Sequence, residues 1–156
     1  LSRKLKPETT PMNLSHLLRG ATAAALLVAT ALAWGQAAGG RVTAHVLDLY
    51  TGTPAKGLRI DFLAVEGGSS RVLKSVTTNA DGRPPEGPLM TPETIKPGRY
   101  QAVLHIADYY RAVGAKLPAN FHTKLILEFD ITDAKQPHHL PFQITPWTQS
   151  MSVLPG

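Results

Sequence analysis

The sequence contains no cysteine in its 156 residues. Disulfide bonds, thiolate metal sites and cysteine nucleophiles are therefore excluded. Aromatic residues are also scarce, at 6%, whereas 43% of the residues are hydrophobic, as in an ordinary folded protein. A chain of this length suits one compact domain. Any chemistry must then use histidine, arginine, lysine, hydroxyl or carboxylate side chains.

The charge of the chain has little bias once the first residues are set aside. The formal net charge is +5, but four of the 16 basic residues and only one of the 11 acidic residues lie among the first 20 positions. Residues 34–156 therefore carry 12 basic and 10 acidic side chains, which leaves +2, and no two basic residues are adjacent there. This distribution argues against a nucleic-acid partner.

No hydrophobic run is long enough to cross a bilayer comfortably. The longest, ATAAALLVATALAW at residues 21–34, has 14 mostly apolar residues, which is typical of the apolar part of a signal peptide. We predict that residues 1–38 are an N-terminal extension and signal peptide, cleaved near Ala33 or Ala37. Residues 39–156 are then the mature domain, exported to the periplasm and not attached to a membrane after cleavage.

The mature part alternates apolar and polar residues in short stretches that are separated by glycine and proline turns. This pattern predicts β-strands at 42–49, 58–66, 71–79, 99–106, 122–131, 137–145 and 147–154, with a further short edge strand near 88–90. The one stretch that favours a helix is ADYYRAVGAK, for which Asp108 is the predicted N-cap and Gly114 the stop. Many short strands and one short helix predict an all-β sandwich or barrel.

Two of the six histidines lie on the polar faces of predicted strands. His45 alternates with the apolar residues of its strand, and His139 shares the polar side of its strand with Gln143 and Thr145. Both imidazoles should therefore point away from the core. His138, by contrast, is predicted to face the apolar side.

The other candidate histidines, His105 and His122, are expected to face solvent. No paired carboxylate or i,i+4 histidine accompanies them, so the sequence predicts no metal site. Tyr109 and Tyr110 are expected to be core and interface aromatics.

Four stretches resemble, in order, the landmarks of the transthyretin-like family, and within it those of the 5-hydroxyisourate hydrolases. They are TAHVLDLYTGTPAKGLRI, TNADGR, DYYRA and HHLPFQITPW, which together extend over nearly all of the mature chain. The resemblance implies a β-sandwich of eight strands with one short helix, assembled as a homotetramer of two dimers around a channel. It also implies hydrolysis of the cyclic amide of 5-hydroxyisourate in urate degradation, without a cofactor.

The same resemblance implies that His45, Arg83 and His139 bind the substrate and catalyse its hydrolysis. The chemistry suits these residues, because a histidine can activate water near neutral pH and an arginine can hold an anion. We expect His45 and His139 to position and activate the water, and Arg83 to bind the anionic substrate and the developing charge.

The chain departs from the family pattern near its end. Where the hydrolases read Tyr-Arg-Gly-Ser, this sequence has Ser152-Val153-Leu154-Pro155. We expect the hydroxyl of Ser152 to serve as a substitute substrate-binding group. The departure also leaves open an alternative, a non-catalytic transthyretin-like protein that binds a small ligand in the tetramer channel.

Overall fold

The structure is a computed structural model that describes residues 39–155. Within this range it contains nine strands and one helix, α1 (Ile106–Ala112). The strands are β1 (Val42–Asp48), β2 (Thr53–Pro54), β3 (Arg59–Glu66), β4 (Ser69–Thr77), β5 (Gly98–Leu104), β6 (Leu125–Ile131), β7 (His138–Ile144), β8 (Gln149–Met151) and β9 (Leu154–Pro155). The predicted β-sandwich with one short helix is confirmed.

The strands form two sheets that enclose one hydrophobic core. The first sheet has the order β2-β1-β7-β8, with β9 also paired to β7, and the second has the order β4-β3-β5-β6. β1 and β7 run parallel, whereas the other neighbours are antiparallel. β1 and β7 are far apart in sequence, so the local sequence of neither strand shows their pairing.

The core follows the alternation of the sequence. In β1, Val42, Ala44 and Val46 are at most 1% exposed, while the intervening side chains are half-buried. The second sheet contributes Phe62 and Tyr100, whose rings stack with their centroids 5.5 Å apart. Side chains of successive strand residues point to opposite faces, so the other residues of β1 necessarily lie on the outer face of the first sheet.

Helix α1 begins earlier than the sequence predicts. Its N-cap is His105 rather than Asp108, and the Asp108 carboxylate instead accepts a hydrogen bond from Arg111 within the helix. The helix ends before Gly114, as predicted, and this glycine has φ 77°, a conformation that suits a residue just beyond a helix. The His105 side chain makes no capping hydrogen bond, and its Nε2 instead lies 2.7 Å from a carboxylate oxygen of Asp61, which is distant in sequence.

A buried carboxylate attaches the helix to the first sheet. Asp48, at the end of β1, is 1% exposed and accepts hydrogen bonds from the hydroxyls of Tyr109 and Tyr110 at 3.0 and 2.9 Å. The prediction that both tyrosines pack in the core is confirmed. Burial and the neighbouring carboxylate raise the pKa of both phenols, which therefore stay protonated as donors.

Three edge features differ from the predicted strands. β2 (Thr53–Pro54) lies between the predicted strands 42–49 and 58–66, where only a turn is expected. The stretch 88–90 forms only a single bridge, between Met90 and Val42. The last predicted strand is divided into β8 and β9, although both keep the same register against β7. That register places Pro141 of β7 opposite Ser152, in the break between β8 and β9. Proline has no N–H to donate to a hydrogen bond between strands.

The predicted signal peptide and its cleavage sites lie outside the described residues. Among residues 39–155, the one helix is far too short to span a bilayer.

Candidate active site

The candidate residues meet on the outer face of the first sheet. Thr43 of β1 lies directly opposite His139 of β7, and His45 lies opposite Pro141. Directly paired residues project on the same side of a sheet. His45 and His139 are therefore diagonal neighbours on one face, as their positions in the two sequence patterns predict, and both are half-buried. His138 faces the core side, also as predicted, opposite buried Val42.

A tight loop at residues 79–83 brings Arg83 to the same face. The Asn79 side-chain oxygen accepts hydrogen bonds from the backbone N–H groups of Asp81 and Arg83 at 2.9 and 3.1 Å. The loop is attached to β1 because the N–H of Val46 donates to the carbonyl of Gly82 at 2.9 Å. Gly82 has φ 69°, and a Cβ there would lie only 2.3 Å from the Val46 carbonyl oxygen. Glycine is thus required where the loop approaches the strand.

The electrostatics of the three residues are coupled. Burial lowers the pKa of His45, Arg83 lowers it further, and the carbonyl and the carboxylate of Asp81 oppose both effects. Burial likewise lowers the pKa of His139, with further lowering by Arg83 and by His45. Both imidazoles are therefore held neutral at pH 7, the state in which a histidine can accept a proton.

A hydroxyl group contacts one of these imidazoles. The Oγ1 atom of Thr43 is 2.9 Å from Nδ1 of His139 and 3.4 Å from the carbonyl oxygen of His138. Thr43 and Arg83 also line a cleft of about 210 Å³, which runs toward Pro88.

The C-terminal strand forms the edge of this face. In β9, Leu154 lies opposite His139, and the common register of β8 and β9 places Ser152 opposite Pro141. Ser152 and Leu154 are exposed, whereas Met151 and Val153 pack against the core. Ser152 therefore shares the outer face with the histidines, one strand beyond Pro141, and Leu154 is an apolar neighbour of His139.

The expectation that His105 faces solvent is wrong, whereas His122 is exposed. The His105 side chain is only 12% exposed, and its Nε2 lies 2.7 Å from a carboxylate oxygen of Asp61. Asp61 belongs to β3 and His105 follows β5, so the antiparallel pairing of these strands brings them together. This pair lies on the outer face of the second sheet, away from the three candidate residues.

Sequence reasoning missed Thr43, Asp48 and Asp61. Each lies inside a predicted strand, and only the fold reveals its partner. Asp48 does break its local pattern, because it is a carboxylate at the core-facing position that follows Val42, Ala44 and Val46. Asp61 lies between Ile60 and Phe62, which indicates an outer-face residue but not a buried one.

Proteins that are similar to this chain in sequence include hydrolases. The model of the HIUase/Transthyretin family matches residues 42–152. The 5-hydroxyisourate hydrolase 2 of Rhizobium meliloti is 42% identical over 112 residues, which cover 71% of this chain and 92% of that protein.

Two solved structures share the fold. The structure of Klebsiella pneumoniae 5-hydroxyisourate hydrolase aligns with a TM-score of 0.58 at 27% identity, covering 75% of this chain and 98% of that one. Sea bream transthyretin, solved in complex with thyroxine, aligns with a TM-score of 0.67 at 19% identity, covering 74% and 96%. The family match extends over most of the sandwich and all three candidate residues, and the chain belongs to the HIUase/Transthyretin family.

Proposed function

We propose that this protein is a hydrolase that opens the cyclic amide of 5-hydroxyisourate to give 2-oxo-4-hydroxy-4-carboxy-5-ureidoimidazoline. The observation that carries the proposal is the convergence of His45, His139 and Arg83 on one open sheet face. The identity to curated 5-hydroxyisourate hydrolases supports the same activity. The site uses no cofactor in this proposal.

The two histidines position and activate the attacking water. Hydrolysis of a ring amide requires a base that removes a proton from water as its oxygen attacks the carbonyl carbon. Burial and Arg83 lower the pKa of both imidazoles below the ordinary value of 6.5, so the neutral base is present at pH 7. The acid limb of the kcat/KM profile is accordingly expected below pH 6.5.

Arg83 binds the anionic substrate and the oxyanion that forms during attack. Its guanidinium is a permanent cation that can hold two oxygens at once. The carbonyl carbon gains a bond to the water oxygen, and the negative charge moves to the carbonyl oxygen. A cation beside that oxygen stabilises the transition state more than the ground state, which raises the rate.

Ser152 is proposed as a further substrate-binding group. Its hydroxyl lies on the outer face one strand beyond Pro141, in the row that contains His45. A Ser152→Ala variant should raise KM severalfold with little change in kcat, because one hydrogen bond to bound substrate is lost. The measurement is a substrate titration, and an unchanged KM would remove Ser152 from the site.

The activity is tested with the purified mature protein and freshly generated 5-hydroxyisourate, followed by its absorbance. The protein should accelerate the decay of the compound well above its spontaneous rate. A correctly folded protein that leaves the decay unchanged would overturn the proposal. His122→Ala is the matched control, since this histidine is exposed and outside the site.

One observation favours an alternative, a non-catalytic binding protein for a small amphipathic ligand. Leu154 gives the edge beside His139 an apolar side chain, 45% exposed. In that case a transthyretin-type ligand would raise Tm without any turnover. A combined variant, Ser152→Tyr with Val153→Arg, Leu154→Gly and Pro155→Ser, separates the two, because a large gain in turnover would identify the natural chain as an impaired hydrolase.

We also propose that the protein is a homotetramer. Leu49, Tyr50 and Trp147 are 55%, 50% and 64% exposed, and the rings of Tyr50 and Trp147 contact each other with centroids 5.4 Å apart. Apolar clusters of this kind on a surface are typical of interfaces. Light scattering of the purified protein should give four times the chain mass, and Trp147→Ser should lower it.

The proposed location is the periplasm of a Gram-negative host. It is supported by the apolar stretch at 21–34 with small residues after it. Sequencing of the exported protein should show an N-terminus just after Ala33 or Ala37. Recovery of the full chain from the cytoplasm would contradict the proposal.

A further inference from the structure

The contacts of Thr43 bear on which nitrogen of the neighbouring imidazole carries the hydrogen. Its Oγ1 lies 2.9 Å from Nδ1 of His139 and 3.4 Å from the carbonyl oxygen of His138. A threonine hydroxyl has one hydrogen to donate and lone pairs to accept with. The carbonyl can only accept, so it takes the hydroxyl hydrogen, and the hydroxyl oxygen then accepts from the imidazole.

We infer that Thr43 is a positioning residue that holds His139 in the tautomer with hydrogen on Nδ1, which leaves the lone pair of Nε2 directed into the site. This inference rests on the proposed hydrolysis for its functional meaning. The register supports it, because Thr43 and His139 are directly paired across the parallel strands and therefore project side by side. A neutral imidazole has one donor and one acceptor nitrogen, and the partner of one nitrogen decides the role of the other.

The proton then has a defined path. Nε2 of His139 takes a proton from water, and the water oxygen forms a bond to the ring carbonyl carbon. The tetrahedral intermediate collapses with cleavage of the C–N bond, and the leaving nitrogen takes the proton from the imidazolium. The ring amide and one water thus become a carboxylic acid and a new N–H, and the histidine is neutral again. The acid then ionises and releases its proton to solvent.

Thr43 is the side-chain hydrogen-bond partner of the His139 imidazole. Within residues 39–155, Thr43 is the one side chain that hydrogen-bonds this imidazole, and no carboxylate does so. Arg83 acts on the ring through its charge and cannot accept a proton. His45 is an immediate neighbour on the sheet but is also held neutral. The tautomer is therefore set by a neutral hydroxyl rather than by an acid.

The direct test is the ¹⁵N side-chain spectrum of histidine in the intact protein at pH 8. The signals of His139 are assigned by their loss in His139→Gln. We expect the Nδ1–H tautomer in the wild type, the same in Thr43→Ser, and a mixture of tautomers in Thr43→Val, which keeps the shape but lacks the hydroxyl. A wild-type spectrum with hydrogen on Nε2 would overturn the inference.

Kinetics provide the second readout. Thr43→Val should lower kcat on 5-hydroxyisourate at least tenfold with KM within about twofold, and Thr43→Ser should restore most of the loss. Full kcat in a folded Thr43→Val protein would overturn the positioning role. Thr43→Ala replaces the valine variant if that protein does not fold. If the wild type shows the Nδ1–H tautomer but no turnover, the proposed function fails while the tautomer assignment stands.

Discussion

The two sheets of the sandwich each carry histidine on their outer face, in opposite environments. On the second sheet, His105 lies against the Asp61 carboxylate, which also accepts hydrogen bonds from Ser75 and Arg59. On the first sheet, His45 and His139 have no carboxylate hydrogen-bond partner within residues 39–155, and a cation lies beside them. The first environment stabilises the negative charge of the Asp61 carboxylate, whereas the second keeps an imidazole neutral and available.

The difference separates a structural role from the proposed catalytic one. Burial alone would raise the pKa of Asp61, but the hydrogen bonds from Ser75, Arg59 and His105 outweigh it and lower that pKa to about 2. Both carboxylate oxygens of Asp61 accept hydrogen bonds from within this cluster, from Ser75, Arg59 and His105. We call Arg59, Asp61, Ser75 and His105 the Asp61 cluster, and attribute to it stability only.

The largest effect is expected at Arg83. Arg83→Ala should lower kcat/KM at least about 100-fold, because both substrate charge and developing oxyanion lose their partner. The pKa of both histidines should rise, since Arg83 lowers them, and the acid limb of the pH–rate profile should shift upward. Arg111→Ala, which removes an exposed arginine of helix α1, is the control. Equal activities of Arg83→Ala and Arg111→Ala would contradict a special role for Arg83.

The next effect is on stability, in the Asp61 cluster. Asp61→Asn should lower the free energy of unfolding by about 2–3 kcal/mol, because partly buried donors lose a charged acceptor. The activity per folded molecule should be unchanged. Urea unfolding measures the difference, and Asp130→Asn is the control, since its ion pair with Arg99 is half exposed and should matter much less. A loss of turnover in folded Asp61→Asn would contradict the separation of roles.

A third effect concerns acid stability. Because the folded-state pKa of Asp61 lies below its ordinary value of 3.8, the carboxylate contributes stability that is fully present above pH 3.8 and is lost as the pH falls toward 2. A shift from 3.8 to about 2 corresponds to about 2 kcal/mol. Unfolding free energies measured between pH 5 and pH 2 should fall by this extra amount in the wild type but not in Asp61→Asn.

The smallest effect is expected at the edge of the site. Leu154→Gly should change KM about two- to fivefold with kcat within about twofold, because the wall beside His139 becomes open without altering the base. The side chain is 45% exposed, so Tm should hardly move. An unchanged KM would mean that β9 borders the site without contacting the substrate.

The sequence predicts the faces of the strands well and the contacts between strands poorly. The outward positions of His45 and His139 follow from an alternation that any strand must obey. The Thr43–His139 contact spans 96 positions, and the His105–Asp61 contact spans 44. Neither contact is visible in the local sequence, because both are created by the register of paired strands. Local patterns therefore place His105 in solvent and predict Asp108 as the N-cap of helix α1.

The family resemblance identifies a site residue that local patterns do not. It linked Arg83 to the two histidines, although the loop that carries Arg83 looks from its sequence like an ordinary turn. The structure adds the reason for the loop's shape, namely the Asn79 hydrogen bonds and the close approach of Gly82 to β1. The C-terminal edge, where the sequence departs from the family, could be located only through the register of β8 and β9.

The most direct test compares two histidines on the two sheets, His139→Asn and His105→Asn, in the same 5-hydroxyisourate assay at equal concentrations of folded protein. His139→Asn should lower kcat/KM at least about 100-fold, whereas His105→Asn should stay within about twofold of the wild type. Equal losses in both variants, or a larger loss in His105→Asn, would contradict the proposed role of His139.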